Sequence, residues 1–214
     1  MAQSSRPADV PGLPARRSAL KLLDAVLRRG DPLEIALHGA CQGLADRADR
    51  ALVHAIAAEV LRHLPDLDAL IDGATRLPLP DDAKARMVLR IALVQVLVLG
   101  TAPHAAIATA LPLVDGGPRK LVHGVFGTVT RSAPVLPDPP TLPAAVADRW
   151  AAQWGSAMVE AAARAYAIRP PVDVSLRDPA ATAEWAAQLG GVSLAPGHVR
   201  LPDGANIPDL PGFA

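Results

Sequence analysis

The side chains able to carry chemistry are few and scattered. The 214-residue chain has one cysteine, Cys41, and six histidines, none spaced i, i+4 from another. Zinc is usually held by four Cys, His or carboxylate ligands, so neither residue type suggests a metal site. One cysteine cannot form an intrachain disulfide, and it fits a reducing compartment. Cys41 continues the apolar spacing of Leu33, Ala36, Leu37, Ala40 and Leu44, which predicts a packed side chain rather than a nucleophile. No G-x-G-x-x-G, P-loop or G-x-S-x-G occurs, and Gly116-Gly117 and Gly190-Gly191 read as turns. The acidic pairs Asp81-Asp82 and Asp46/Asp49 stand at expected helix starts, where capping accounts for them. His104 follows Pro103 and reads as a turn residue at a helix start. Arg90 interrupts an apolar run, so it requires a carboxylate partner. No catalytic residue, no metal and no cofactor site is expected in this chain.

What remains is the distribution of cations. Lys plus Arg equals Asp plus Glu overall, yet residues 1–131 hold 16 basic and 13 acidic side chains, against 5 and 8 in residues 132–214. Residues 1–30 hold six basic side chains and two acidic ones. Arg16, Arg17, Lys21 and Arg28 lie on or beside the polar face of the first expected helix, and Arg6 lies in the arm ahead of it. Such a face fits either contact with an anionic partner or simple solvation.

The elements that position these residues follow from periodicity and punctuation. Residues 1–13 are polar and predict a disordered arm. A helix is expected from Pro14 to Arg29, with Ala19, Leu20, Leu23, Val26 and Leu27 on its apolar face and Gly30 as its stop. Asp31-Pro32 opens a second helix to about residue 44, and a third runs from Ala48 to His63. Pro65 is expected to break it before a short fourth helix marked by Leu67, Leu70, Ile71 and Ala74. Met87–Leu99 is apolar except for Arg90 and Gln95, so this fifth helix must be enclosed on most sides. It is too short for a bilayer, and no 18-residue apolar span or signal peptide is read; a cytoplasmic location is the expectation. Pro103–Val114, disturbed near Pro112, and a helix opening at Pro118 complete a bundle over residues 14–131.

Five prolines within Ser132–Pro143 predict an extended linker and a domain boundary. Residues 144–214 then predict helices near 143–153, 156–168 and 180–189, with strands at 172–176, 192–194 and 198–201. The fold class expected is mainly α: an all-helical bundle followed by a small, incomplete α+β domain.

The order of several short motifs resembles the NusB-like RNA-binding domain and pre-catalytic region of the RsmB (Fmu/Sun) family of ribosomal RNA methyltransferases. In the bundle the matching residues are Arg16-Arg17-x-Ala19-Leu20, Asp49-Arg50, Val60-Leu61-Arg62, Leu67-Asp68 and Ile71. Leu89-Arg90-Ile91 through Gln95, Pro103-His104-Ala105-Ala106 and Lys120–Val125 continue the series. Beyond the linker come Pro143, Arg149-Trp150, Trp154-Gly155, Pro170-Pro171 before Val172–Arg177, and Leu210–Phe213. The chain departs from the family at His123, where Asn is usual, near Gly127, where Arg is usual, and at Ala108-Thr109, where Asn-Glu is usual.

The resemblance implies a region that binds and positions small-subunit ribosomal RNA for an S-adenosylmethionine-dependent cytosine-C5 methyltransferase. The Gly-rich cofactor loop and paired cysteines of that family have no counterpart here, so this chain alone is expected to be inactive. It reads as a monomer that partners ribosomal RNA and a methyltransferase domain supplying the cofactor site, with no membrane contact. The alternatives are a stand-alone NusB-like antitermination module joining RNA to protein, and a bundle that serves only protein contacts. Aromatics make up 3% of the chain, so base stacking is disfavoured and phosphate contacts are expected. The RNA-binding residues expected are Arg6, Arg16, Arg17, Lys21 and Arg28.

Overall fold

The computed structural model describes residues 10–168, 170–202, 204–205 and 207–212. Two compact units divide at Ala167/Ile168.

The first unit is helical throughout. Helix α1, Leu13–Arg29, starts after Gly12 and stops at Gly30, both at positive φ. The Gly30 N–H reaches back to the Val26 carbonyl and Asp31 N–H to that of Ala25, a glycine-terminated stop that satisfies the last carbonyls. Helices α2 (Leu33–Ala40) and α3 (Arg47–Arg62) follow, and Asp46 caps α3 by accepting the Ala48 N–H at 2.8 Å. The chain breaks between α3 and α4 at Pro65 as expected: α3 ends at Arg62, and Pro65 sits in the first turn of α4, Leu64–Gly73, where its missing N–H costs no helix bond.

Helix α5, Lys84–Leu97, is the centre of the bundle, and every residue from Ala85 to Gln95 is buried. It packs against α1, α3, α4, α6 and α7. Its enclosure agrees with the reading of the apolar run, but its start does not. Asp81 and Asp82 lie in an exposed turn ahead of the helix, and Ala83 occupies the cap position in an extended conformation. Helix α6, Pro103–Ala110, ends in a 3-10 turn over Leu111–Leu113, where Pro112 falls. Helix α7, Gly117–Arg131, buries Val122, Val125, Phe126 and Val129.

The arginines of α5 are enclosed with it. Arg90 is 4% exposed, and its Nε and Nη2 donate to the two carboxylate oxygens of Asp68 in α4, both at 2.8 Å. Arg86, one turn earlier, is 2% exposed and pairs with Asp68 at 3.1 Å and Asp72 at 2.5 Å. Burial alone would lower the Arg86 pKa, but the hydrogen bonds it donates to Asp72 and Asp68 overcome that and hold the guanidinium above its ordinary value. Two arginines and two aspartates thus fasten α4 to α5.

The segment 132–143, expected as an extended linker, is held to the bundle at two points. Pro140 is buried, and the Thr141 N–H donates to Asp66 at 3.1 Å. Helices α8 (Ala144–Trp154) and α9 (Ser156–Ala167) follow within the same unit. Arg62 donates to the Tyr166 carbonyl at 3.0 Å and the Tyr166 hydroxyl to the Leu61 carbonyl at 3.3 Å, which ties the end of α9 to α3. The division between units therefore falls later than the proline-rich stretch.

The second unit is a small, open β region. Strands β1, Asp173–Ser175, and β2, His198–Arg200, pair antiparallel with Asp173 opposite Arg200. Helix α10, Thr182–Gln188, lies between them in sequence. The strand expected at 192–194 is reduced to a single bridge from Val192 to Arg200.

Candidate nucleic-acid interface

The cations of α1 divide by helix face. Leu13, Ala15, Ser18, Ala19, Leu22, Leu23 and Ala25 are buried, so the helix turns Arg17, Lys21 and Arg28 outward, all exposed. Leu22 and Ala15 belong to this packed face, whereas Leu20, Val26 and Leu27 are only partly buried.

Arg16 differs from the other three. It is partly buried, and its Nε donates to Oε1 of Gln95 at 2.8 Å. Gln95 is fully buried in α5 and donates in turn to the Ile91 carbonyl at 2.8 Å. A second Arg16 nitrogen, Nη1, lies 3.3 Å from the Gly12 carbonyl. Burial lowers the Arg16 pKa, and Asp49 opposes that shift. A Cβ on Gly12 would lie 2.6 Å from Nη1, and Gly12 has φ 78°, so glycine suits this turn on both counts. Arg16 therefore joins α1 to α5.

On the outer face, Arg28 pairs with Asp24 at 2.9 Å, and Arg29 reaches Asp24 at 3.3 Å and Asp31 at 3.1 Å. Exposed pairs of this kind are worth little and exchange readily for other partners. Arg6 lies outside the described residues.

One cation that periodicity does not single out stands beside this face. Lys84, exposed in the first turn of α5, lines a groove of about 250 Å³ with Lys21, Asp24 and Arg28 of α1 and with Asp82. Partly buried Leu20 and buried Met87 supply its apolar surface. Lys84 lies 63 positions from Lys21 in the chain, so no local pattern could have joined them. Helix α7 also exposes Arg119, Lys120 and Arg131 and carries no acidic residue.

The remaining candidates carry no site. Cys41 is 8% exposed, and burial pushes its thiol pKa up against the pull of Arg50, which disfavours the thiolate a nucleophile needs. The Thr109 hydroxyl bonds to the Ala105 and Ala106 carbonyls of its own helix, and His104 is exposed at the start of α6. Among the described residues no group of three His, Cys, Asp or Glu could hold a metal ion, and no helix is long and apolar enough to cross a membrane.

The helical bundle coincides with the match to a known family. Residues 13–131 match the NusB family. The chain belongs to that family. It is also 30% identical, over 95% of its length, to a ribosomal RNA small subunit methyltransferase B of Xanthomonas campestris, of which it spans 49%. The bundle is similar to a chain in the crystal structure of the antitermination factors NusB and NusE in complex with dsRNA. That match has a TM-score of 0.52 at 16% identity and covers 56% of this chain and 96% of the other. The crystal structure of PH0851 matches 97% of this chain with a TM-score of 0.57 at 12% identity, and 52% of that protein is covered. The first of these likenesses shows that the bundle has the NusB-type fold.

Proposed function

We propose that this NusB-family chain is the RNA-binding and substrate-positioning region of an S-adenosylmethionine-dependent methyltransferase acting on cytosine C5 of small-subunit ribosomal RNA. The observation that carries the reading is the outward set Arg17, Lys21 and Arg28, on a helix whose opposite face is packed. Cations one and two turns apart on a single helix face can meet phosphates along a strand, and release of condensed counterions supplies most of the affinity. Arg16, bound to Gln95, fixes the angle at which α1 presents that row. The Xanthomonas relative is named for small-subunit ribosomal RNA methylation, and its match extends across both units of this chain. That extent favours the methyltransferase context over a stand-alone antitermination module, because the NusB match itself ends at Arg131.

On this reading the chain binds RNA through phosphates and leaves methyl transfer to residues it does not contain. With Cys41 buried, the chain presents no thiolate to attack a pyrimidine ring. The test is binding of the 214-residue chain to deproteinised small-subunit ribosomal RNA across a salt series, alongside labelled methyl transfer. Affinity that falls steeply with salt, without methyl incorporation, is the expected result. Salt-independent binding, or methylation by this chain alone, would overturn it.

A further inference from the structure

The groove between α1 and the first turn of α5 holds more chemistry than a phosphate-binding row requires. Lys21 and Lys84 reach it from two helices, and neither makes an ion pair among the described residues. Arg28 also lines it, already paired with Asp24. Asp82 is exposed on the same groove and accepts no hydrogen bond among the described residues. A carboxylate is unhelpful beside a phosphate, because like charges repel. It is useful beside a hydroxyl, from which it accepts a charge-assisted hydrogen bond. Two lysines, the Asp82 carboxylate and an apolar patch at Leu20 and Met87 together match a ribose-phosphate unit rather than a phosphate alone. The groove's second carboxylate, Asp24, is already paired with Arg28 and Arg29. The 2′-hydroxyl is the group by which proteins distinguish RNA from DNA.

We infer that this groove seats one ribose-phosphate unit of the RNA strand, with Lys21 and Lys84 donating to its phosphate and Asp82 accepting its 2′-hydroxyl. The inference rests on the RNA-binding reading and adds to it a residue of α5 and a preference for RNA over DNA. Lys84 and Asp82 are exposed and outside the packed faces, so their replacement leaves the bundle intact.

The experiment compares Lys84→Ala and Asp82→Ala with the parent chain and with Arg17→Ala/Lys21→Ala. The probes are a single-stranded RNA oligonucleotide and the DNA of the same sequence, and circular dichroism checks the fold. Lys84→Ala is expected to weaken RNA binding several-fold and to flatten the slope of log affinity against log salt by about 0.7, the loss of one phosphate contact. Asp82→Ala is expected to abolish the preference for RNA over DNA. If Asp82→Ala instead strengthens binding to both probes equally, the hydroxyl contact is wrong. If Lys84→Ala matches the parent while Arg17→Ala/Lys21→Ala binds weakly, the groove fails and the α1 face stands. If all three variants bind as the parent does, both fail.

Discussion

Helices α1 and α5 are both arginine-bearing, yet they direct their charges oppositely. Helix α5 keeps Arg86 and Arg90 inside, each matched to carboxylates of α4, and every residue from Ala85 to Gln95 is buried. Helix α1 keeps only Arg16 partly inside and exposes Arg17, Lys21 and Arg28. The first and fifth helices of the bundle thus separate two uses of one residue type. A guanidinium enclosed with its carboxylate fixes a packing geometry, whereas an exposed cation gains little from its surface partner and can exchange it for a polyanion.

The contrast is broken most severely at Asp68, which holds Arg90 with both oxygens and also meets Arg86. Asp68→Ala would strand the enclosed Arg90 and leave Arg86 with Asp72 alone, and removal of one partner of a buried pair costs about 3–5 kcal/mol. Denaturant unfolding should show a loss of that size; a loss under about 1 kcal/mol would mean the cluster is solvated in solution.

A smaller effect distinguishes neighbours on α1. Arg16→Ala leaves the buried Gln95 oxygen without its donor, at a cost of about 1–3 kcal/mol. Arg17→Ala, on the exposed face, should stay within about 0.5 kcal/mol. Equal melting temperatures for the two variants would erase the division of α1 into a holding and a presenting face.

The smallest effect lies in the second unit, where the pairing is exposed. Asp173 accepts from Arg200 Nε at 2.8 Å and Nη2 at 2.9 Å, and that hydrogen bonding holds its carboxyl at about 2. A lowered carboxylate pKa stabilises the folded form above the ordinary value near 4, and the contribution fades as pH falls through about 2. The carboxyl carbon of Asp173, followed by NMR, should titrate near 2 and return toward about 4 in Arg200→Ala. A midpoint near the ordinary value in the parent chain would show that the cross-strand pair does not form.

Much of the bundle was legible because helix stops and apolar spacing are local. The Gly30 stop and the apolar spacing from Ala19 to Leu27 place α1 to within a residue, with Ala19 and Leu23 inward. The need of Arg90 for a carboxylate was also legible, since an enclosed charge must be matched, but Asp68 lies 22 positions away and no pattern names it. Arg86 and Lys84 escape a reading of the sequence for one reason: the apolar run begins at Met87, whereas α5 begins at Lys84. Asp81-Asp82 looks like a cap, but Ala83 occupies that position with an extended backbone and no side-chain hydrogen bond. Arg16 resembles its neighbours in type and spacing, and only the 79-residue link to Gln95 separates it from them. The proline-rich stretch signals a boundary by composition, while Pro140 and Thr141 are fixed by tertiary contacts. Limited proteolysis follows the contacts if the first cut falls between Ala167 and Asp173, and the composition if it falls within 132–143.

The claim that α1 presents its outer cations to RNA is tested most directly by the salt dependence of Arg17→Ala/Lys21→Ala/Arg28→Ala. Three lost phosphate contacts should flatten the slope of log affinity against log salt by about 2 to 3, with the melting temperature unchanged. A folded triple variant with the parent's affinity and slope would contradict the account.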